Sequence, residues 1–167
     1  GSIQSEIDRI EHFRQEALVA ASLEHPNIIP VHDLVTDVEG RPVLVMKEVR
    51  GKPWIEILNQ TSREEDPEFL EKQIPVLMAV TQAVAFAHSR GIIHRDLKPS
   101  QVMIGEFGEV LLTDWGLAMV VGPPEGGEGA SLARRGIWGY LVNPAGSPAY
   151  MAPEQTRSSL EGLGPWT

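Results

Sequence analysis

Two short stretches hold the residues best suited to chemistry: His94-Arg95-Asp96-Leu97-Lys98-Pro99-Ser100-Gln101 and, 18 residues beyond Asp96, Asp114-Trp115-Gly116. Two aspartates at the ends of neighbouring short strands suit phosphoryl transfer, where one orients an attacking hydroxyl and the other holds magnesium on the phosphates. Lys98, two positions after Asp96, points to the same side of an extended chain and would neutralise developing phosphate charge. Taken singly, each piece also reads as a solvated turn or an Asp-x-Gly β-turn. It is the pair that carries the chemical argument.

The elements that must position them are legible as pattern. From Ile3 to Leu23 the apolar residues Ile3, Ile7, Ile10, Phe13, Ala17 and Ala20 recur every three or four positions, which predicts an amphipathic helix stopped by His25-Pro26-Asn27. Two β-rich runs, Ile28 to Val35 and Val43 to Val49, flank the turn residues Asp37 to Pro42 and predict a hairpin. A short helix is expected over Trp54 to Asn59 and a long one over Pro67 to Arg90. The long helix should bury Leu70, Ile74, Leu77, Met78, Thr81, Val84, Ala85 and His88, with Pro75 in its first turn or at a kink. Ile92-Ile93 leads into the polar run, and Val102 to Ile104 and Glu109 to Thr113 predict two strands about a turn at Gly105 to Gly108. The class is α+β.

Composition narrows the functions open to such a chain. Its 167 residues carry 14 Lys and Arg against 23 Asp and Glu, a formal net charge of −9 that argues against a nucleic-acid partner and accommodates a basic partner or substrate more easily. Ile74 to His88, the most apolar stretch, falls short of the ~20 residues a bilayer span needs, so no membrane contact is expected of this segment. The absence of cysteine fits a reducing compartment, and the expected location is the cytoplasm. Of the 16 glycines and 13 prolines, 16 residues fall from Gly116 onward, so the last third should be mostly loop, with Gly122 to Gly129 at an exposed tip.

Taken together, the motifs resemble the protein kinase family. His94-Arg95-Asp96 resembles its catalytic loop, Asp114-Trp115-Gly116 its Asp-Phe-Gly motif with Trp for Phe, and Ala152-Pro153-Glu154 its Ala-Pro-Glu motif, in the family's order. Leu97-Lys98-Pro99 resembles the serine/threonine branch, and Gly146 to Gln155 its bacterial members. Small-molecule phosphotransferases share the two aspartates but not the Ala-Pro-Glu segment. The resemblance implies an incomplete protein-kinase-like fold: C helix, strands 4 and 5, helices D and E, catalytic loop, small β sheet and activation segment. Gly1-Ser2 reads as the scar of a removed tag, residues 3–49 as the remnant of the small lobe with the hinge, and residues 50–167 as the first part of the large lobe, with the activation segment at 114–154.

On that resemblance Asp96 and Lys98 are catalytic and Asp114 with Gln101 binds Mg2+. ATP would meet Met46 as gatekeeper, the backbone of Lys47, Glu48 and Val49 at the adenine, Met103 beneath it, and Thr113 just before the metal aspartate. Structural or regulatory roles fall to Glu16 as partner of a strand-3 lysine, and to His94, Arg95, Trp115, Gly116 and Glu154. Ser147 stands where the family's Thr contacts the catalytic Asp and Lys, and Ser131, beside Arg134 and Arg135, is a phosphosite candidate in a loop that Arg95 would help order.

Four departures qualify the resemblance. The glycine-rich loop and strand-3 lysine precede the C helix in the family, and the chain begins there. Gln101 replaces the metal-binding Asn with a side chain one methylene longer, and magnesium tolerates little geometric error. The chain stops where the family's F helix would start, which should leave the faces of Val84, Leu97 and Leu111 uncovered. The segment from Asp114 to Glu154 is enlarged. The expectation is therefore a segment of a serine/threonine protein kinase, using ATP and Mg2+ in its parent, phosphorylating a protein substrate, and itself inactive. The alternative is a pseudokinase-like interaction module without catalysis. Open strand edges predict self-association.

Overall fold

The computed structural model describes residues 3–60, 66, 68–121, 131–133, 135–139 and 141–167. Helix α1 spans Ile3–Ala21 and buries Ala17, Val19 and Ala20 along one stripe. Pro26 and Asn27 form a turn, closed by the Ile28 N–H donating to the His25 carbonyl at 3.0 Å. The predicted β run from Ile28 then divides in two. Residues 27–29 dock on a distant strand, with the Leu112 N–H donating to the Asn27 carbonyl at 2.8 Å and the Ile29 N–H to the Leu112 carbonyl at 3.0 Å. The hairpin proper is β1 (Val31–Thr36) against β2 (Pro42–Met46), antiparallel, with Leu34 opposite Leu44. Its turn is held by Asp37, whose Oδ1 accepts from the Glu39 and Arg41 N–H groups at 2.9 Å each. α1 packs against both strands.

A short strand β3 (Gly51–Pro53), absent from the sequence-based reading, precedes α2 (Trp54–Gln60). Helix α3 covers Phe69–Ser89, close to the predicted span, but Pro75 lies inside it rather than in its first turn. Its buried face also differs from expectation. Gln73, Val76, Ala83 and Ala87 face inward, whereas Leu70, Ile74, Leu77 and Met78 are 50–57% exposed and Thr81 and Ala85 also face out; only Val84 and His88 of the predicted set are even half-buried. Two observations account for the rotation. The alanines let the helix sit close to the sheet, and Gln73 accepts a 2.7 Å hydrogen bond from the buried Trp54 indole. A polar pair satisfied in the interior outweighs the raw apolar count of a face.

The rest of the chain is a nested set of strand pairs. β4 (Ile92–Ile93) pairs with β7 (Met119–Val120), and β5 (Val102–Gly105) pairs with β6 (Val110–Leu112), β3 adding to the free edge of β5. The polar run leaves β4 and enters β5; Asp114-Trp115-Gly116 leaves β6 and enters β7. Because outer strand pairs with outer and inner with inner, the two loops are forced side by side. Beneath them lies the core of Val19, Ile28, Ile92, Val102, Leu112 and their neighbours. The predicted uncovered faces are not observed: Leu111 is buried, and Val84 and Leu97 pack against this core. Among the described residues no helix is long and apolar enough to cross a membrane.

Candidate catalytic site

Asp96 sits at the centre of the juxtaposed loops. Its Oδ2 accepts from the Lys98 ammonium at 2.6 Å and from the Gln101 amide nitrogen at 3.3 Å, and its Oδ1 accepts from the Ser147 N–H at 2.8 Å. Burial alone would raise the Asp96 pKa, but the donors from Lys98, Ser147 and Gln101 outweigh it and hold the group below the usual carboxylate range. It is therefore an anion at neutral pH, able to accept a hydrogen bond from an approaching hydroxyl. Lys98 follows Asp96 by two positions in extended backbone, which turns both side chains to one face. Its ammonium also donates to the Ser147 hydroxyl at 2.6 Å.

The Gln101 amide nitrogen reaches Asp114 Oδ2 as well, at 2.7 Å. One nitrogen thus joins the two aspartates, so the carboxylates lie within the sum of two hydrogen bonds. The main chain fixes this arrangement: a 3-10 turn at Pro99–Gln101 presents the Gln101 carbonyl to the Thr113 N–H at 2.8 Å and hydroxyl at 3.0 Å. Asp114 is exposed, and among the described residues its Oδ1 takes the Gly116 N–H alone, at 3.3 Å. Its open lone pairs suit a hard cation that takes oxygen ligands, and phosphate oxygens would complete such a shell. Among the described residues no cluster of three or more His, Asp or Glu side chains could hold a metal ion by itself.

Two backbone conformations here are of the left-handed kind that side chains disfavour: Arg95 at φ 69° and Asp114 at φ 55°. Each costs roughly 1–2 kcal/mol, and each is held by its surroundings. The Gln155 amide, itself buried, donates to the Arg95 carbonyl at 2.7 Å and the Ala145 carbonyl at 2.8 Å while accepting the Ala152 N–H at 3.0 Å. The Arg95 guanidinium donates to the Val142 carbonyl at 2.6 Å and Asn143 Oδ1 at 3.1 Å. Gln155 and Asn143 escaped the sequence-based reading. Their only signal was a polar amide next to a motif or a proline in a loop-rich stretch.

His94 lies behind the loop, its ring 4.6 Å from that of Trp115. Nδ1 accepts the Asp96 N–H at 3.2 Å and Nε2 lies 3.2 Å from the Thr113 carbonyl, a pattern that needs the neutral ring protonated on Nε2. Burial pushes its pKa down in agreement. Trp115 is buried and lines a cavity of about 220 Å³ with Phe13, Ala17, Ile29 and Met46. Glu16 and Asp114 stand at the same cavity, where burial pushes the Glu16 pKa up, His12 opposes and the Asp114 charge adds to the rise. A Cβ at Gly116 would lie 3.1 Å from Asp114 Oδ1 and 3.8 Å from Glu16 Oε2, so glycine leaves the space between the carboxylates clear.

The other predicted residues fall around this centre. Met46 ends β2, 43% exposed; the Lys47 N–H donates to the Pro30 carbonyl at 3.0 Å; Glu48 is exposed and Val49 half-buried. Met103 sits in β5 between Pro53 and Leu111. Glu154 Oε1 accepts the Thr167 hydroxyl at 2.9 Å, and Ser131, half-buried, gives its carbonyl to the Arg135 N–H at 3.3 Å. Arg134 and the predicted loop tip at Gly122 to Gly129 lie outside the described residues.

With that geometry established, comparison with known proteins decides the family. The family model described as "protein kinase domain" matches residues 2–162. The chain belongs to the protein kinase family. It is 35% identical to the serine/threonine-protein kinase PknD of Protochlamydia amoebophila, over 89% of this chain and 17% of that protein. Against the probable serine/threonine-protein kinase PknB of Lactococcus lactis the identity is 34%, over 90% of this chain and 21% of the relative. Against the serine/threonine-protein kinase PknA of Mycobacterium tuberculosis it is 35%, over 90% of this chain and 32% of the relative. The chain thus spans a third or less of these relatives, and what it shares with them is a segment of a serine/threonine protein kinase domain. The incomplete α+β kinase fold expected from the motifs is the fold observed.

Proposed function

We propose that the protein containing this chain transfers the γ-phosphate of ATP to a serine or threonine hydroxyl of a protein substrate. The observation that carries the reading is the single Gln101 nitrogen within hydrogen-bond reach of both Asp96 and Asp114, which brings together the two carboxylates that phosphoryl transfer would use as proton acceptor and cation holder. In this reading Asp96 orients the substrate hydroxyl and Lys98 steadies the transferred phosphoryl group. Asp114, with Gln101 beside it, holds magnesium, which supplies charge neutralisation on the phosphates. Met46 and the backbone of Lys47, Glu48 and Val49 border the adenine, with Met103 and Thr113 on its other side. Glu16 and Trp115 set the position of Asp114 across the cavity they share, and Gly116 keeps that space open. His94 and Arg95 shape the loop around Asp96, Ser147 receives the substrate side, Glu154 anchors the activation segment, and Ser131 is the candidate modification site.

The reaction belongs in the cytoplasm, and the exposed outer edge of β2 favours association between copies of the chain. The test is ATP-dependent phosphorylation of a serine/threonine peptide by the longest product of the gene that includes these residues. Turnover that falls by orders of magnitude in Asp96→Asn is expected; absence of turnover in the unsubstituted protein would reject the reading.

A further inference from the structure

We propose that Gln101 weakens the divalent-cation site on Asp114: its amide nitrogen competes with a divalent ion for Asp114 and is not accompanied by a ligating oxygen. The inference rests on the reading of Asp114 as the cation-holding carboxylate and deepens it.

Carboxylate oxygens only accept, so an amide facing two of them must present its NH2 end. Gln101 does this, its nitrogen standing 2.7 Å from Asp114 Oδ2 and 3.3 Å from Asp96 Oδ2. The nitrogen therefore lies between the two carboxylates and contributes partial positive charge there. The Lys98 ammonium, 2.6 Å from the same Asp96 oxygen, supplies a full positive charge beside it. Asp96 then has donors on both oxygens, so a cation gains little from approaching it.

The placement follows from the extra methylene of glutamine. The Gln101 main chain is pinned to Thr113, the residue before Asp114, by two hydrogen bonds to its carbonyl. From that fixed origin the longer side chain delivers its terminal nitrogen into the gap between the aspartates. A cation approaching Asp114 Oδ2 from the side that Gln101 occupies must displace a 2.7 Å hydrogen bond, and turning the amide to offer its oxygen would break both of its bonds at once; the remaining lone pairs of Asp114 stay open, so Gln101 weakens the site without closing it. The consequence is one divalent site on Asp114, weakened by Gln101.

The sign of one measurement decides. Mn2+ binding to the 167-residue chain is measured by the paramagnetic resonance of free Mn2+, for the unsubstituted protein, Gln101→Ala, Gln101→Met and Asp114→Asn. Removal of the competing donor should tighten Mn2+ binding roughly 2- to 10-fold in both Gln101 variants, the factor that corresponds to one hydrogen bond. Equal or weaker binding in Gln101→Ala and Gln101→Met overturns the proposal, because it makes Gln101 a bystander or a ligand. Mn2+ binding that is absent, or unchanged in Asp114→Asn, overturns instead the reading of Asp114. The bridge has its own readout: the Gln101 side-chain amide resonances, identified by their loss in Gln101→Ala, should move in Asp114→Asn. If they stay in place the bridge does not exist, and the proposal fails whatever the metal data show.

Discussion

The Ser147 N–H donates to Asp96 Oδ1 at 2.8 Å, and the Ser147 hydroxyl receives the Lys98 ammonium at 2.6 Å. One residue of the late loop thus grips both members of the Asp96–Lys98 pair. The two grips are separable, because one is main chain and the other side chain. Ser147→Ala keeps the N–H and removes only the hydroxyl acceptor, so urea unfolding should show a loss of about 0.5–1.5 kcal/mol. Ser147→Thr, which restores an oxygen at the same place, should recover most of it.

Gln155 should be far less tolerant. Gln155→Leu fills similar space but strips the donors from the buried Arg95 and Ala145 carbonyls and the acceptor from the Ala152 N–H. Leaving such groups buried and unpaired costs about 1–3 kcal/mol each. The expected result is a large drop in melting temperature together with increased proteolysis between residues 142 and 155, whereas the exposed Gln82 replaced by Leu should change neither.

Acid should weaken the fold in two stages. His94 is held neutral by burial, its pKa below the ordinary 6.5, and His88 is lowered for the same reason. Below pH 6.5 the unfolded chain gains protons that the folded chain refuses, so this stability is present above 6.5 and declines as pH falls. Asp96, lowered despite burial by its hydrogen bonds to Lys98, Ser147 and Gln101, acts the same way further down: its contribution is present above about pH 4 and is lost as pH falls through the folded value. In urea titrations from pH 7 to 5, His94→Gln should flatten the slope while lowering stability overall, with His88 still contributing slope of the same sign and Glu16, whose pKa burial raises, opposing it toward the acid end.

Self-association can be tested at the hairpin. Val43 and Val45 of β2 are 41% and 39% exposed, and β2 pairs with β1 alone among the described residues. If this edge carries the contact, Val45→Lys should shift the light-scattering mass toward the 18.3 kDa of one chain. A single-chain mass before substitution would remove the proposal.

The chemistry was more legible in the sequence than the packing around it. Asp96, Lys98 and Gln101 fall in one short run and Asp114 follows 18 residues after Asp96, and their residue types state what they could do. Helix spans were readable from period, since α1 and α3 are long enough for the pattern to repeat. Which side of α3 faces inward was not, because Gln73 owes its burial to Trp54, 19 positions earlier. Strands β3, β4 and β7 have two or three residues each, too few to show alternation; they exist because partners far along the chain complete them. Gln155 was missed for the same reason: its importance is set by Arg95, 60 residues away.

That separation bears on how the protein is made. Arg95, Asp96, Lys98 and the Arg95 carbonyl are tied to partners 47 to 60 residues downstream. At ribosomal speeds of about 5–20 residues per second, those partners emerge roughly 2 to 12 seconds after Asp96 does. Throughout that interval the nascent chain carries Arg95 without the staple that secures its unfavourable backbone. Assembly around Asp96 therefore waits until Gln155 has emerged, and a polypeptide stalled before Gln155 would carry this loop unfinished.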